Sequence, residues 1–89
     1  DDAVIETNCI IDAQGAHPLT FGTLPDSMHA LTQQVKAYER LTIEAAVHGD
    51  RRSGLLALVT NPLVGNANVA QPLLDEVLAV NAPYLPQFK

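Results

Sequence analysis

The chain has 89 residues, of which 47% are hydrophobic, 17% charged and 4% aromatic, a balance that excludes disordered, fibrous and disulfide-built classes and leaves a compact single domain. A chain this short hides roughly 60–65% of the surface its unfolded form exposes, enough for one modest core but tight for an enzyme that must also hold a substrate. Ten acidic residues against five Lys and Arg give a net charge of −5, which argues against neutralising phosphate backbones or anionic lipid, so neither nucleic acid nor a membrane is expected as a partner.

The core material is aliphatic: twelve Leu, twelve Ala, eight Val and four Ile, with no Trp. The single cysteine, Cys9, permits no intrachain disulfide and fits a reducing compartment, the cytoplasm. The uncharged stretches around residues 55–70 and 77–84 contain Asn, Gly or Pro and fall short of the 18 or so apolar residues that a membrane span needs. Asp1 and Asp2 lead straight into an apolar alternation, the opposite of a secretory leader, and the chain reads as though cut from something longer.

Residues 3–12 alternate. Ile5, Thr7, Cys9 and Ile11 fall on one side, and Val4, Glu6, Asn8, Ile10 and Asp12 on the other; with β-branched residues dominant, this predicts a half-buried strand. Ala13-Gln14-Gly15-Ala16 supplies a turn in which Gly15 can take positive φ. Residues 17–22 then predict a short returning strand, at an edge because of Pro18. His17 could serve a substrate loop, but turn chemistry alone explains this connection.

After Pro25, with Asp26 or Ser27 as N-cap, apolar residues recur at Met28, Leu31, Val35, Tyr38, Leu41 and Ala45, predicting one amphipathic helix to about His48, closed by Gly49. At 1.5 Å per residue it is about 33 Å long. Ile43, Ala46 and Val47 add apolar character to other sides of its second half, which predicts burial against two neighbours and a subunit or domain contact there. Asp50 then caps a short helix carrying Leu55, Leu56, Leu58 and Val59, which stops before Asn61-Pro62. Arg51 and Arg52 lie in its first turn, against the helix dipole, and read as solvated arginines, an ion pair or an anion site. A connection over residues 61–68 precedes a third helix, starting near Val69, with Pro72 in its first turn and Leu73, Leu74, Val77 and Leu78 as the buried stripe. It ends near Asn81, and the segment Tyr84-Leu85-Pro86-Gln87-Phe88 is expected to pack by its aromatics.

Cys9, His17, His29 and His48 are separated by eight, twelve and nineteen residues, which matches no compact metal motif. Cys9 sits on the more apolar strand face with no basic neighbour, as a buried inert thiol would. His29 reads as exposed, and His48, in the last helical turn, as a complement to the dipole. Glu39 and Glu44 do not share a helix face, and Asp75 and Glu76 diverge, so neither makes an acid/base pair, whereas Lys36 with Glu39 and Arg40 forms a solvated charged face. Ser27 and Ser53 lack a base at local spacing. Gly15, Gly22, Gly49, Gly54 and Gly65 form no nucleotide cradle. The residues themselves specify no catalytic, cofactor-binding or metal site.

Their order is another matter. The phrases Val4-Ile5-Glu6-Thr7-Asn8-Cys9-Ile10-Ile11-Asp12, Gly15-Ala16-His17-Pro18-Leu19 and Gly22-Thr23-Leu24-Pro25 are followed by Gln33-Gln34-Val35-Lys36-Ala37-Tyr38-Glu39-Arg40-Leu41-Thr42 and Glu44-Ala45-Ala46-Val47-His48-Gly49-Asp50. Then come Leu56-Ala57-Leu58, Asn61-Pro62-Leu63 and the ending Tyr84-Leu85-Pro86-Gln87-Phe88. Together they resemble glycoside hydrolase family 4, over nearly the whole chain, with residues 33–40 closest to the 6-phospho-β-glucosidase branch.

The resemblance implies the C-terminal end of a much longer enzyme, preceded by an NAD-binding domain like that of lactate and malate dehydrogenases. Such enzymes cleave glycosides, often 6-phosphorylated, with NAD and a divalent metal, usually manganese, outside the two-carboxylate scheme. Hydride leaves C3 for NAD, a base takes the acidified C2 proton, the aglycone departs, and water addition and hydride return complete hydrolysis; the metal polarises the transient ketone. The family's metal-binding Cys and His, its base and its Gly-rich loop belong to upstream motifs, and Cys9 matches a strand position instead. No site residue is therefore carried onto this chain, which by itself is expected neither to bind NAD nor to cleave sugar. The expected fold is α+β, an N-terminal β-hairpin followed by a long helix and two shorter helices, residues 1–89 forming the C-terminal part of the second domain. The partners implied are the NAD-binding domain of the same protein, a phosphorylated sugar and further copies of the chain as a homo-oligomer. The alternatives are the α-glucosidase or α-galactosidase branch of the family, and a non-enzymatic helical interaction module.

Overall fold

The computed structural model describes residues 4–20 and 22–88. The element order is β1 (Cys9–Asp12), β2 (Gly15–Pro18), α1 (Asp26–His48), α2 (Arg51–Thr60), α3 (Ala67–Val80) and a short 3-10 turn (Ala82–Tyr84). The expected hairpin and three helices, the first of them long, are all present.

The hairpin differs in extent. The first strand is shorter than the alternation over residues 3–12 suggested, and the second begins two residues earlier than residue 17; Ala3 and Phe21, the outer parts of those expected strands, lie outside the described residues. The register pairs Asp12 with Gly15, so the loop is only Ala13-Gln14. Neither loop residue has positive φ, and Gly15, at φ 121°, takes the conformation that lets the chain return. The Gln14 N–H donates to Asp12 Oδ1 at 2.8 Å, an Asx turn. Because Leu19 N donates to Asn8 O at 2.9 Å, antiparallel alternation makes the adjacent Cys9–Pro18 pair a non-bonded one, and Pro18 leaves no gap in the ladder. The expectation of half-burial fails: Ile10 is 60% and Ile11 72% exposed, and Cys9 is exposed as well, because the helices pack with one another and leave both faces of the hairpin uncovered.

Pro25, not Asp26 or Ser27, is the N-cap of α1, and no side chain caps it. The Pro25 carbonyl accepts from His29 N at 2.8 Å, so the helix opens one residue early and Asp26 places its charge in the first turn. Gly49 closes the helix in the left-handed conformation at φ 67°, as expected. Its two-residue link with Asp50 folds α2 back against α1, and Gln34 Nε2 ties the far end of the pair by donating to Thr60 O at 2.9 Å.

That tight link decides which residues form the core. The helices approach so closely near the bend that Ala45, Ser53, Gly54 and Ala57 are the buried residues, while Leu56 is exposed and Leu55, Leu58 and Val59 are partly covered. A Cβ on Gly54 would lie 3.3 Å from Leu74 Cδ1 and 3.8 Å from Ala45 Cβ. The large apolar residues that α2 carries are thus not its most buried ones. Ile43 and Val47 are 62% and 64% exposed, so the expected second neighbour of α1 is not supplied by the described residues. Met28 and Leu31 are also exposed.

α3 starts two residues before Val69, capped by the Asn66 side chain, which accepts from Asn68 N at 2.8 Å. Pro72 consequently lies in the second turn, not the first, and removes the bond that the Asn68 carbonyl would have received; both residues face solvent, where water can replace it. Ala70, Leu74 and Leu78 form the buried stripe, Leu73 is partly buried and Val77 is 43% exposed. The C-terminal segment docks by Leu85, Gln87 and Phe88, so of its two aromatics Phe88 packs as expected and Tyr84, 81% exposed, does not. Among the described residues no helix is long and apolar enough to cross a membrane.

Candidate functional site

The four soft or borderline ligands stay apart. Cys9 is on β1, His17 on β2, His29 in the first turn of α1 and His48 in its last, and among the described residues no group of three His, Cys, Asp or Glu side chains could hold a metal ion. His29 is exposed, near Gln33 Nε2 at 3.3 Å, and His48 lies 3.6 Å from Glu44 Oε1 one turn earlier. The solvated face expected around Lys36 is present, with Nζ 2.7 Å from Glu39 Oε2, and the same ammonium donates to the Val4 carbonyl at 2.6 Å.

One polar pair was not foreseen. The register sets Asp12 diagonal to His17 on one face of the hairpin, and His17 Nε2 lies 2.9 Å from Asp12 Oδ1. That hydrogen bond, followed by one from the Gln14 amide, lowers the Asp12 pKa below the ordinary carboxylate value despite a small opposing desolvation. A turn over residues 12–15 brings the two side chains together, whereas a turn over residues 13–16, one residue later, does not. The pair can orient an imidazole, yet both side chains are about half exposed.

At the start of α2, Asp50 accepts from Arg52 N at 3.1 Å and Ser53 N at 3.3 Å, and from the Ser53 hydroxyl at 2.6 Å. The Ser53 bond is the main reason its carboxyl ionises below the ordinary value. This carboxylate occupies the position an external anion would need. Arg51 has an ion pair instead, with Nη1 3.6 Å from Asp75 Oδ1 across to α3.

The helices and the C-terminal segment border an open pocket of about 220 Å³, lined by Tyr38, Thr42, Leu58, Val77, Leu85 and Phe88 among others. Its walls are almost wholly apolar, and the Thr42 hydroxyl is engaged with the Tyr38 carbonyl at 2.8 Å. Such a pocket can take an apolar group, and beyond the Tyr38 phenol its lining offers no acid, base or free nucleophile. The described residues do not fit NAD or a divalent metal: there is no glycine-rich strand-to-helix turn for a pyrophosphate and no ligand cluster for a cation.

Comparison with known proteins supplies what the geometry does not. Residues 1–64 match the family 4 glycosyl hydrolase C-terminal domain. The chain is 47% identical over 88 residues to a probable 6-phospho-beta-glucosidase of Bacillus subtilis, covering 99% of this chain and 20% of that protein. It is 35% identical over 85 residues to the 6-phospho-beta-glucosidase BglT of Thermotoga maritima, covering 96% and 20%. Identity to the phospho-alpha-glucosidase PagL of Clostridium acetobutylicum is 34% over 83 residues, covering 93% and 19%. The chain thus spans about one fifth of the length of these relatives.

Proposed function

The chain belongs to the family 4 glycosyl hydrolases, as part of their C-terminal domain, and from that premise we propose that it is the C-terminal portion of an enzyme hydrolysing 6-phospho-β-glucosides. The observation that carries this reading is the 47% identity to the probable 6-phospho-beta-glucosidase, sustained over 99% of the chain. The phospho-alpha-glucosidase PagL matches at 34% and the 6-phospho-beta-glucosidase BglT at 35%, so it is the 47% relative that supports the β branch. A free-standing interaction module is the weaker reading, because relatives about five times as long carry this segment.

In this proposal NAD and a divalent metal, manganese by family resemblance, supply the redox and Lewis-acid chemistry from the rest of the polypeptide. The 89 residues contribute no catalytic group. Their part is to complete the second domain, wall the cleft and offer the exposed Ile43 and Val47 to subunit association. A phosphorylated sugar does not cross a bilayer unaided, which supports a cytoplasmic location.

The test is hydrolysis of p-nitrophenyl 6-phosphoglucosides by the protein expressed from its own gene, with NAD and Mn²⁺ added. Release from the β-anomer and not the α-anomer is expected; preference for the α-anomer moves the protein to the other branch, and no release from either removes the proposal. The 89-residue chain assayed in parallel should release nothing.

A further inference from the structure

We infer that the face of the hairpin formed by Cys9, Ile11, Ala16 and Pro18 is an intramolecular docking surface, covered in the complete protein by the portion of the polypeptide that precedes these residues. The inference rests on the reading of the chain as a C-terminal portion, and adds to it the surface through which that portion is joined.

The two hairpin faces differ in kind. The register pairs Cys9 with Pro18 and Ile11 with Ala16, so among these four the thiol is the one side chain that can hydrogen-bond, and Ile5 and Thr7 precede them at the same two-residue spacing. The opposite face carries Asn8, Asp12 and His17 beside Ile10 and Leu19, and its Asp12–His17 hydrogen bond suits contact with water. Antiparallel strands with one uncharged and one polar face are built for one-sided burial. Here the burial is missing: Ile11 is 72% and Ile5 66% exposed, and Cys9 is exposed. Two strands of four residues do not stand alone in water without a third strand or a packed layer.

The size of the uncovered surface points to the occupant. The accessible surface is 7041 Å² for 9.5 kDa, where a compact monomer of that mass exposes about 5,000 Å². The radius of gyration is 16.9 Å, against about 12 Å for a compact domain of this length. The excess, on the order of 2,000 Å² over the whole chain, exceeds what a standard protein–protein interface takes from each partner and is of the size that permanent association covers. Relatives supply a further four fifths of a chain. The Lys36 ammonium, donating to the Val4 carbonyl at 2.6 Å, holds the lead-in to the hairpin against α1.

Cys9 is the probe. In the complete protein as encoded, native-state alkylation by iodoacetamide, read at the Cys9 peptide by mass spectrometry, should be on the order of a hundredfold slower than in the same protein unfolded in urea, and independent of protein concentration. Alkylation at the unfolded rate overturns the inference. Protection that disappears on dilution to the monomer overturns it too, and assigns the face to a second copy. As a second measurement, Ile11→Lys should lower the yield of folded protein more than Ile10→Lys on the opposite face; equal effects count against it. Active enzyme with a reactive Cys9 sinks the docking surface alone, whereas a protected Cys9 in a protein that cleaves neither phosphoglucoside sinks only the assignment of activity.

Discussion

The Gln87 side chain donates from Nε2 to the Ala46 carbonyl at 2.7 Å, joining the C-terminal segment to the end of the long helix across 41 positions of sequence. Ala46 is among the last four residues before the Gly49 cap whose carbonyls an α-helix leaves open, so the amide satisfies a group that would otherwise need water. The Gln87 backbone approaches Gly49 so closely that a Cβ there would overlap its carbonyl. Gln87→Ala should cost about 1 kcal/mol of stability. Gly49→Ala should cost about 2 kcal/mol or more, since it adds that overlap to the left-handed strain. Urea unfolding followed by circular dichroism checks both, and equal costs would mean that the segment does not bear on Gly49.

Gly54 offers a substitution whose sign is decided by space. Alanine raises helix propensity by about 1 kcal/mol, and its Cβ would meet the flexible end of Leu74, which borders the 220 Å³ pocket and has room to turn away. Gly54→Ala should therefore be neutral or stabilising by up to about 1 kcal/mol. Gly54→Leu should cost about 1–3 kcal/mol, because it must also displace Ala45. Thermal midpoints for the two variants should move in opposite directions, or only the second should move.

Leu74 packs from α3 onto Gly54 of α2, is 7% exposed and lines the pocket together with Tyr38 and Ala45 of α1. Leu74→Ala should cost about 3 kcal/mol, since its lost contacts add to a pocket the fold already leaves open. Leu56→Ala, on the exposed side of α2, should stay within about 0.5 kcal/mol. Comparable losses at both positions would refute the small-residue core.

Asp50 predicts the acid limb of stability. Its carboxyl ionises at lower pH in the folded chain, chiefly through the Ser53 hydroxyl. The unfolded state therefore binds more protons between the two values, and stability rises with pH there. The contribution is complete above the unfolded value of about 4 and is lost as pH falls through the lower folded one. Asp50→Asn keeps a capping oxygen but cannot titrate, so the gap in urea midpoint between native chain and variant should close as pH falls from 5 toward 2.

Arg51 and Asp75 should matter little. The pair is half exposed and separated by 3.6 Å, so Arg51→Ala should change stability by less than about 1 kcal/mol, an effect that salt should abolish.

Local chemistry wrote much of this fold into the sequence. The long helix and its Gly49 stop, the Asp50 cap and the break at Asn61-Pro62 follow from periodicity, capping and proline sterics within a few residues of each position. Tertiary structure decided which residues are inside. Counting leucines could not show that a two-residue link presses α1 against α2 until only Ala45, Ser53, Gly54 and Ala57 fit between them, because close approach favours the smallest side chains over the most hydrophobic. It also decided that His17 meets Asp12 and that Ile11 and Cys9 find no cover, since register and burial depend on what lies opposite a strand and not on the strand's own alternation.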